Sequence, residues 1–293
     1  MNKRTWGLIC LVVSMLMSCR EGQNVKNDGK VDSLVTRTQG EVWGFMPAGV
    51  YPSQKEIKFL TGQIYPVGAS KQGQGSDPQW QTILKSAKGD GQQIYLTESF
   101  DRAGGEAIIN NEKQQTTTIN ALLSSLKERS ASGLVVNFGL VKAEDATKYV
   151  KFIKKLADKL HSEKLGLAVV TPPENWLHDN DLVALSEASD HLLFDFSIGY
   201  NARTGETSGN PYGQGDGSIV VAMGHILNAP IAIRKVMMIL PSDDWNFSNH
   251  CNYALNVGLA GVVVKYSGQK TDQMLNDTLK ARFQYVDTVR VKR

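Results

Sequence analysis

Carboxylates and aromatic rings cluster just after short apolar runs in this chain. Glu98 closes QIYLTE, Glu174 follows LGLAVV, Asp195 lies inside FDF, and Asp243 and Asp244 follow VMMIL. Two carboxyl groups facing one another across a cleft can act as general acid and general base at a glycosidic bond. Glu98 and Glu174 are the pair placed for that chemistry. The same residue types beside helix starts also serve as caps or as solvated loop charges. Phe100, Trp176, Tyr200, Tyr212, Trp245 and Tyr266 fall at the same ends of their runs. Apolar sugar faces stack on such rings while nearby Asn and Asp satisfy hydroxyls. For each ring alone, ordinary packing over the end of a fold is the alternative.

Other chemistries find little support. The histidines, at 161, 178, 191, 225 and 250, show no metal-ligand spacing, and His250 and Cys251 point to different sides of one helix. Neither a metal nor a cofactor is expected. His161, on a charged helix, reads as solvated. The stretch YNARTGETSGNPYGQGDG, Tyr200 to Gly217, contains Gly-x-Gly without the strand–turn–helix context of a nucleotide site. It reads as a long polar loop, a lid or a partner-facing segment.

The amino terminus carries an address. Lys3 and Arg4 precede an apolar run from Gly7 to Met17, which is short for a spanning helix and ends in a small residue. Residues 1–18 read as a secretory signal. Leu16-Met17-Ser18-Cys19 resembles a bacterial lipobox, which makes Cys19 the lipidated first residue of the mature chain; an ordinary signal peptide is the alternative. No later run is long and apolar enough to span a membrane, so the anchor is expected to be lipid alone, at the cell envelope and on the outer membrane. Losing Lys3 and Arg4 from 32 basic residues, against 29 acidic ones, takes the formal charge from +3 to +1. So neutral a chain argues against nucleic acid as a partner. Of three cysteines, Cys10 leaves with the signal and Cys19 takes the lipid, so Cys251 has no partner for a bridge. The polar residues 19–40 read as a flexible tether.

Residues 41–293, about 250 in all, are a usual length for one α/β barrel. Strands are expected at Val42–Met46, Gln63–Val67, Gln93–Thr97, Gly133–Phe138, Leu165–Val170, His191–Phe196, Val236–Leu240 and Gly261–Tyr266. Pro66 makes the second the weakest, since proline donates nothing to a ladder. Helices are expected at Gln79–Ala87, Thr117–Ser130, Ala143–Ser162, Leu182–Ala188, Ile219–Asn228, Asn249–Val257 and Gln273–Val286. This alternation predicts an α/β fold, a single-domain (β/α)8 TIM barrel, with a doubly wound sheet as the rival. In SGLVVNFG, Ser132 to Gly139, alternation puts Leu134, Val136 and Phe138 on one side and Val135, Asn137 and Gly139 on the other.

That stretch resembles the fourth strand of the glycoside hydrolase family 18 barrel, the family of chitinases and endo-β-N-acetylglucosaminidases, whose pattern there is D-G-x-D-x-D-x-E. Ser132 takes the first Asp, Gly133 the Gly, Val135 and Asn137 the second and third Asp, and Gly139 the Glu. VWGFMP is similar to the family's first strand, SDHLLFDFSIGYN to its sixth, VMMILPSDDW to its seventh and GLAGVVVKY to its eighth. Tyr200 and Asn201 match the Tyr and Asp that contact the N-acetyl sugar. Thr97-Glu98-Ser99-Phe100 replaces the family's S-x-G-G, and Lys265 or Tyr266 stands where a Trp forms the sugar platform.

The resemblance implies a substrate-assisted site whose Glu is the proton donor and whose third Asp orients the substrate acetamide. Gly139 has no side chain, Asn137 cannot ionise, and Val135 replaces a buried acid. Removal of a general acid costs roughly 10²–10⁴-fold in rate, so the expected protein is a degenerate barrel that no longer hydrolyses by this route. Asn137 can still donate to and accept from an acetamide. The expected activity is therefore binding of an N-acetylglucosamine-containing oligosaccharide, with Asn137, Glu98, Phe100, Trp176, Tyr200, Asn201, Trp245 and Tyr266 as contacts. The alternatives are an envelope scaffold that docks protein partners through the Tyr200–Gly217 loop, and a hydrolase whose carboxylates have moved to Glu98 and Glu174.

Overall fold

The computed structural model describes residues 33–38, 40–52, 57–67, 78–138, 141–171, 177, 179–196, 199–201, 206–208, 218–242, 246–266 and 273–289. Eight parallel strands close a barrel: β1 (Glu41–Phe45), β2 (Gly62–Pro66), β3 (Gln93–Ser99), β4 (Gly133–Asn137), β5 (Gly166–Thr171), β6 (His191–Asp195), β7 (Val236–Pro241) and β8 (Gly261–Lys265). The last pairs back onto the first, Gly261 opposite Glu41 and Lys265 opposite Phe45. Closure leaves no free sheet edge. Each apolar run expected to be a strand is one. Pro66 ends β2 instead of interrupting it, and Val67 N then donates to Thr97 O at 2.9 Å.

Alternation along the strands sorts their side chains into two cores. Trp43, Ile64, Tyr95, Val135, Ala168, Val170, Leu193, Met237, Ile239 and Val263 fill the lumen. Leu134, Val136, Leu167, Val169, Leu192, Phe194 and their counterparts face outward, in one cluster with the buried faces of the helices. Burial on both faces is why these strands read as continuous apolar runs.

Among the described residues the α-helices are α1 (Pro78–Gly89), α2 (Arg102–Ile109), α3 (Glu112–Glu128), α4 (Ala146–Ser162), α5 (Asp179–Ala188), α6 (Ser218–Asn228), α7 (Phe247–Asn256) and α8 (Gln273–Phe283). In α4, Tyr149, Phe152, Ile153, Leu156 and Leu160 recur at helical spacing and are buried, while Lys151, Lys154 and Lys159 are exposed. Among the described residues no helix is long and apolar enough to cross a membrane.

At the amino end of the barrel, two rings fill the lumen. Trp43 and Tyr95 stack with centroids 4.6 Å apart. Glycines make room for them: a Cβ on Gly62 would lie 2.7 Å from Trp43 Cδ1, one on Gly133 2.5 Å from Tyr95 Cε1, and one on Gly166 2.6 Å from the Tyr95 hydroxyl.

Three elements differ from expectation. Helix α2 was not anticipated, because Gly104 and Gly105 lower helix propensity. It forms because Asp101 caps it, accepting from Gly104 N at 2.7 Å. Gly105 lets it approach Phe138, whose Cδ1 would lie 3.1 Å from a Cβ there. The final helix stops at Phe283, three residues before the expected Val286, since QYVDTV has the alternation and β-branching of a strand. That strand, Gln284–Val289, pairs with Ser33–Thr38, which lies within the stretch read as a tether. Residues 36–285 form one compact unit, and residues 1–35 with 286–293 a small second one.

Candidate functional site

The carboxyl ends of the strands gather a set of polar side chains from distant parts of the sequence. Strand parity directs Phe45, Thr97, Ser99, Asn137, Asp195 and Lys265 to the lumen side. Val135 is fully buried in the lumen core, opposite Thr97 on the neighbouring strand, and Asn137 stands one layer above it, half-buried, opposite Ser99. Asp195 and Lys265 flank β7, paired with its Ile239 and Pro241 respectively. The Asp195 carboxylate is buried, 4% exposed, and its Oδ2 lies 3.8 Å from Lys265 Nζ. The charges of this pair offset each other at the mouth.

Thr97 is the anomaly. The residue is 5% exposed, and its Oγ1 is buried with no hydrogen-bond partner among the described residues. An unmet buried hydroxyl costs free energy, so such groups are scarce. Its cross-strand neighbour Val135 offers only methyls. Sequence reading missed Thr97 and underrated the Asp195–Lys265 pair. The signal that could have found both was parity, since each shares a face with the lumen residues of its own strand.

Several expected contacts lie elsewhere. Tyr266 is buried on the outer side, where its hydroxyl donates to Asn276 Oδ1 at 3.0 Å, so it anchors α8 and provides no sugar platform. Lys265 takes the lumen side at that strand end. Phe100 packs on Phe138 at 4.6 Å in the layer under the helices, continuing to Tyr149 and Phe152. It too is packing. His161, read as solvated, lies 3.2 Å from Asp190 through Nε2. Tyr200 and Asn201 belong to a short antiparallel hairpin, Gly199–Asn201 with Glu206–Ser208, and their side chains lie outside the described residues. Gly139, Glu174, Trp176, Tyr212, Asp243, Asp244, Trp245 and Cys19 also lie outside them. Among the described residues no three His, Cys, Asp or Glu side chains converge on a metal position.

Glu98 occupies the wrong face for a lumen acid. It sits opposite Val136 and shares its side with Leu96, both of which face the helices. Partial burial raises its carboxyl above the ordinary carboxylate range. A raised carboxyl has no effect on stability while both folded and unfolded chains are protonated, and costs stability as pH rises and the buried group must ionise. Glu98→Gln is therefore expected to match the parent near about pH 3 and to be the more stable of the two near about pH 8. Denaturant midpoints at the two pH values check this, and equal midpoints at the higher pH would count against a desolvated carboxylate.

No protein-family model matches this chain, and neither does any curated protein sequence. Solved structures do match. The spore cortex-lytic enzyme SleL of Bacillus megaterium superposes with a TM-score of 0.63 at 14% identity, over 84% of this chain and 75% of that one. A class V chitinase from Pseudomonas fluorescens gives 0.63 at 16% identity, over 83% of this chain and 99% of the other. Human YKL-39, described as a pseudo-chitinase with retained chitooligosaccharide binding, gives 0.60 at 12% identity, over 77% and 92%. A cortex-lytic enzyme, a chitinase and a pseudo-chitinase thus share one scaffold. This chain has the closed eight-stranded barrel fold of the chitinases and chitinase-like proteins.

Proposed function

We propose that this chain is a cell-envelope lipoprotein whose barrel mouth holds an N-acetylglucosamine-containing oligosaccharide without cleaving it. One observation carries the reading. Among the described residues, Asp195 is the single carboxylate on the lumen side of the strands' carboxyl halves, and Lys265 stands beside it. Hydrolysis assisted by the substrate's acetamide needs a proton donor and a second charge to steady the oxazolinium. A lone carboxylate engaged by an ammonium supplies neither part well. Asn137, by contrast, has a carboxamide suited to an acetamide, one donor and one acceptor against one acceptor and one donor. The chitinase-like neighbours, a chitooligosaccharide-binding pseudo-chitinase among them, support a glycan as the ligand. Leu16-Met17-Ser18-Cys19 supports a lipid anchor at Cys19, with the outer membrane as its site.

Calorimetric titration of the purified whole chain with chitotetraose tests the proposal, with the mixture assayed afterwards for new reducing ends. Saturable binding without reducing ends is expected, and Asn137→Ala should weaken it roughly tenfold through the loss of two hydrogen bonds. Released reducing ends would overturn the non-hydrolytic reading, and no heat at millimolar sugar would overturn the glycan. Cys19→Ser should move the chain from the membrane fraction to the soluble one, and its retention there would remove the lipid anchor.

A further inference from the structure

The opposite end of the barrel carries a concavity. It has a volume of about 870 Å³ and is bounded by the strand starts and the turns leading into them, with Glu41, Gln93, Tyr95, Ser132, Asp190 and His191 among its walls. That space suits a small molecule, not a single ion. All of these residues belong to the barrel unit.

Its floor holds an unused polar group. Tyr95 is 4% exposed, its ring pinned between the Trp43 stack and the Cβ-free surfaces of Gly133 and Gly166. Its hydroxyl borders the concavity beside Gly166 and has no hydrogen-bond partner among the described residues. Packing therefore fixes a phenol so that its one polar atom is offered to whatever fills the space.

The walls set the charge. Glu41 accepts from Trp43 Nε1 at 2.9 Å, and its other oxygen lies 3.7 Å from His191 Nε2. Asp190 holds Leu167 N at 2.8 Å and His161 at 3.2 Å, both through Oδ2. Both carboxylates act electrostatically on the Tyr95 hydroxyl and on His191, where Lys235 opposes them. Burial keeps His191 toward its neutral form. Among the described residues, Lys164 is the one lysine or arginine in the lining, and it is exposed. Ser132 Oγ accepts from Ile94 N and so keeps its proton free to donate.

We propose that this amino-end concavity is a binding site for a small organic ligand carrying a protonated amine. The ammonium lies between Glu41 and Asp190 and donates to the Tyr95 hydroxyl, while the ligand's body is met by Ser132 and Gln93. A divalent metal is a poor fit, because no three ligating side chains converge there among the described residues. An anion would confront two carboxylates, with Lys164 exposed in the lining and Lys235, which also acts on His191, tied through its ammonium to the Ser186 and Ser189 carbonyls.

Cadaverine, pentanediol and glutarate share a five-carbon chain and differ in charge. Each is titrated into the purified whole chain and followed by calorimetry and by the ring resonances of His161 and His191. Cadaverine is expected to bind saturably and shift both histidines, with glutarate and pentanediol inert. Asp190→Asn, which retains an acceptor for Leu167 N, and Glu41→Gln, which retains one for Trp43, should each weaken cadaverine roughly tenfold. Tyr95→Phe, which preserves the ring stack, should weaken it several-fold with an unchanged unfolding midpoint. Pentanediol or glutarate binding as well as cadaverine would overturn the proposal. So would unaltered affinity in Tyr95→Phe, or histidine resonances that do not move at millimolar amine. Chitotetraose binding at the mouth does not enter these readouts, so this proposal and the glycan reading can fail separately.

Discussion

Thr97→Val is expected to stabilise the barrel by about 1–3 kcal/mol, the penalty of a buried hydroxyl left without a partner. The two side chains are nearly equal in shape, so the exchange replaces an unmet hydroxyl with a methyl in a slot already lined by Val135. At most positions the same substitution destabilises, because the hydroxyl it removes is bonded. The sign is thus the test, read as a rise in the denaturant midpoint at unchanged slope. A fall would mean that Thr97 has a partner in solution, and a carboxylate reaching the lumen from a loop is the partner that would matter most. A stabilised variant would instead support a hydroxyl left unmet beside the apolar Val135. Such a trade of stability for residual polarity is common at former or present sites.

Gly261→Ala is expected to have the opposite and larger effect, costing more than about 4 kcal/mol and leaving little folded chain. Gly261 begins β8 opposite Glu41, at the seam where the last strand closes onto the first. A Cβ there would run into the Glu41 carbonyl oxygen, and its carbonyl carbon would lie 2.6 Å away. These are backbone atoms tied into the ladder, so no rotamer change relieves the overlap. Gly49 provides the control for space alone, since a Cβ there would meet nothing within 4 Å. Its φ of +73° makes Gly49→Ala strained by conformation only, about 1–2 kcal/mol. Circular dichroism and urea titration of the two variants separate closure of the barrel from local backbone strain.

The barrel was legible because its strands are buried on both faces. Runs such as VMMIL and GVVVK advertise themselves without any need for register. The mouth was less legible because a strand's last two residues point opposite ways, and nearness to a strand end does not say which way. Lys265 and Tyr266 are neighbours in sequence, yet one faces the lumen and the other holds α8 through Asn276. Glu98 and, one residue past the end of β3, Phe100 meet the same ambiguity, since both lie on the helix side. The amino-end concavity left no trace in the sequence. Its members come from six separated segments, around residues 41, 61, 91–95, 132, 161–166 and 190–191, and what joins them is the closure of the sheet.

The ring stack of Trp43 and Tyr95 gives the barrel a further property. It acts as a bung: Trp43 is wholly inaccessible, and Ile64, Val135, Leu193 and Met237 lie in the same sealed core. Among the described residues these side chains pack the lumen as a core and not as a pore, so a proton or solute entering at one end meets closely packed side chains on the way to its antipode. Occupancy at the two rims is in this sense insulated, and any crosstalk between them would have to travel through the polypeptide itself.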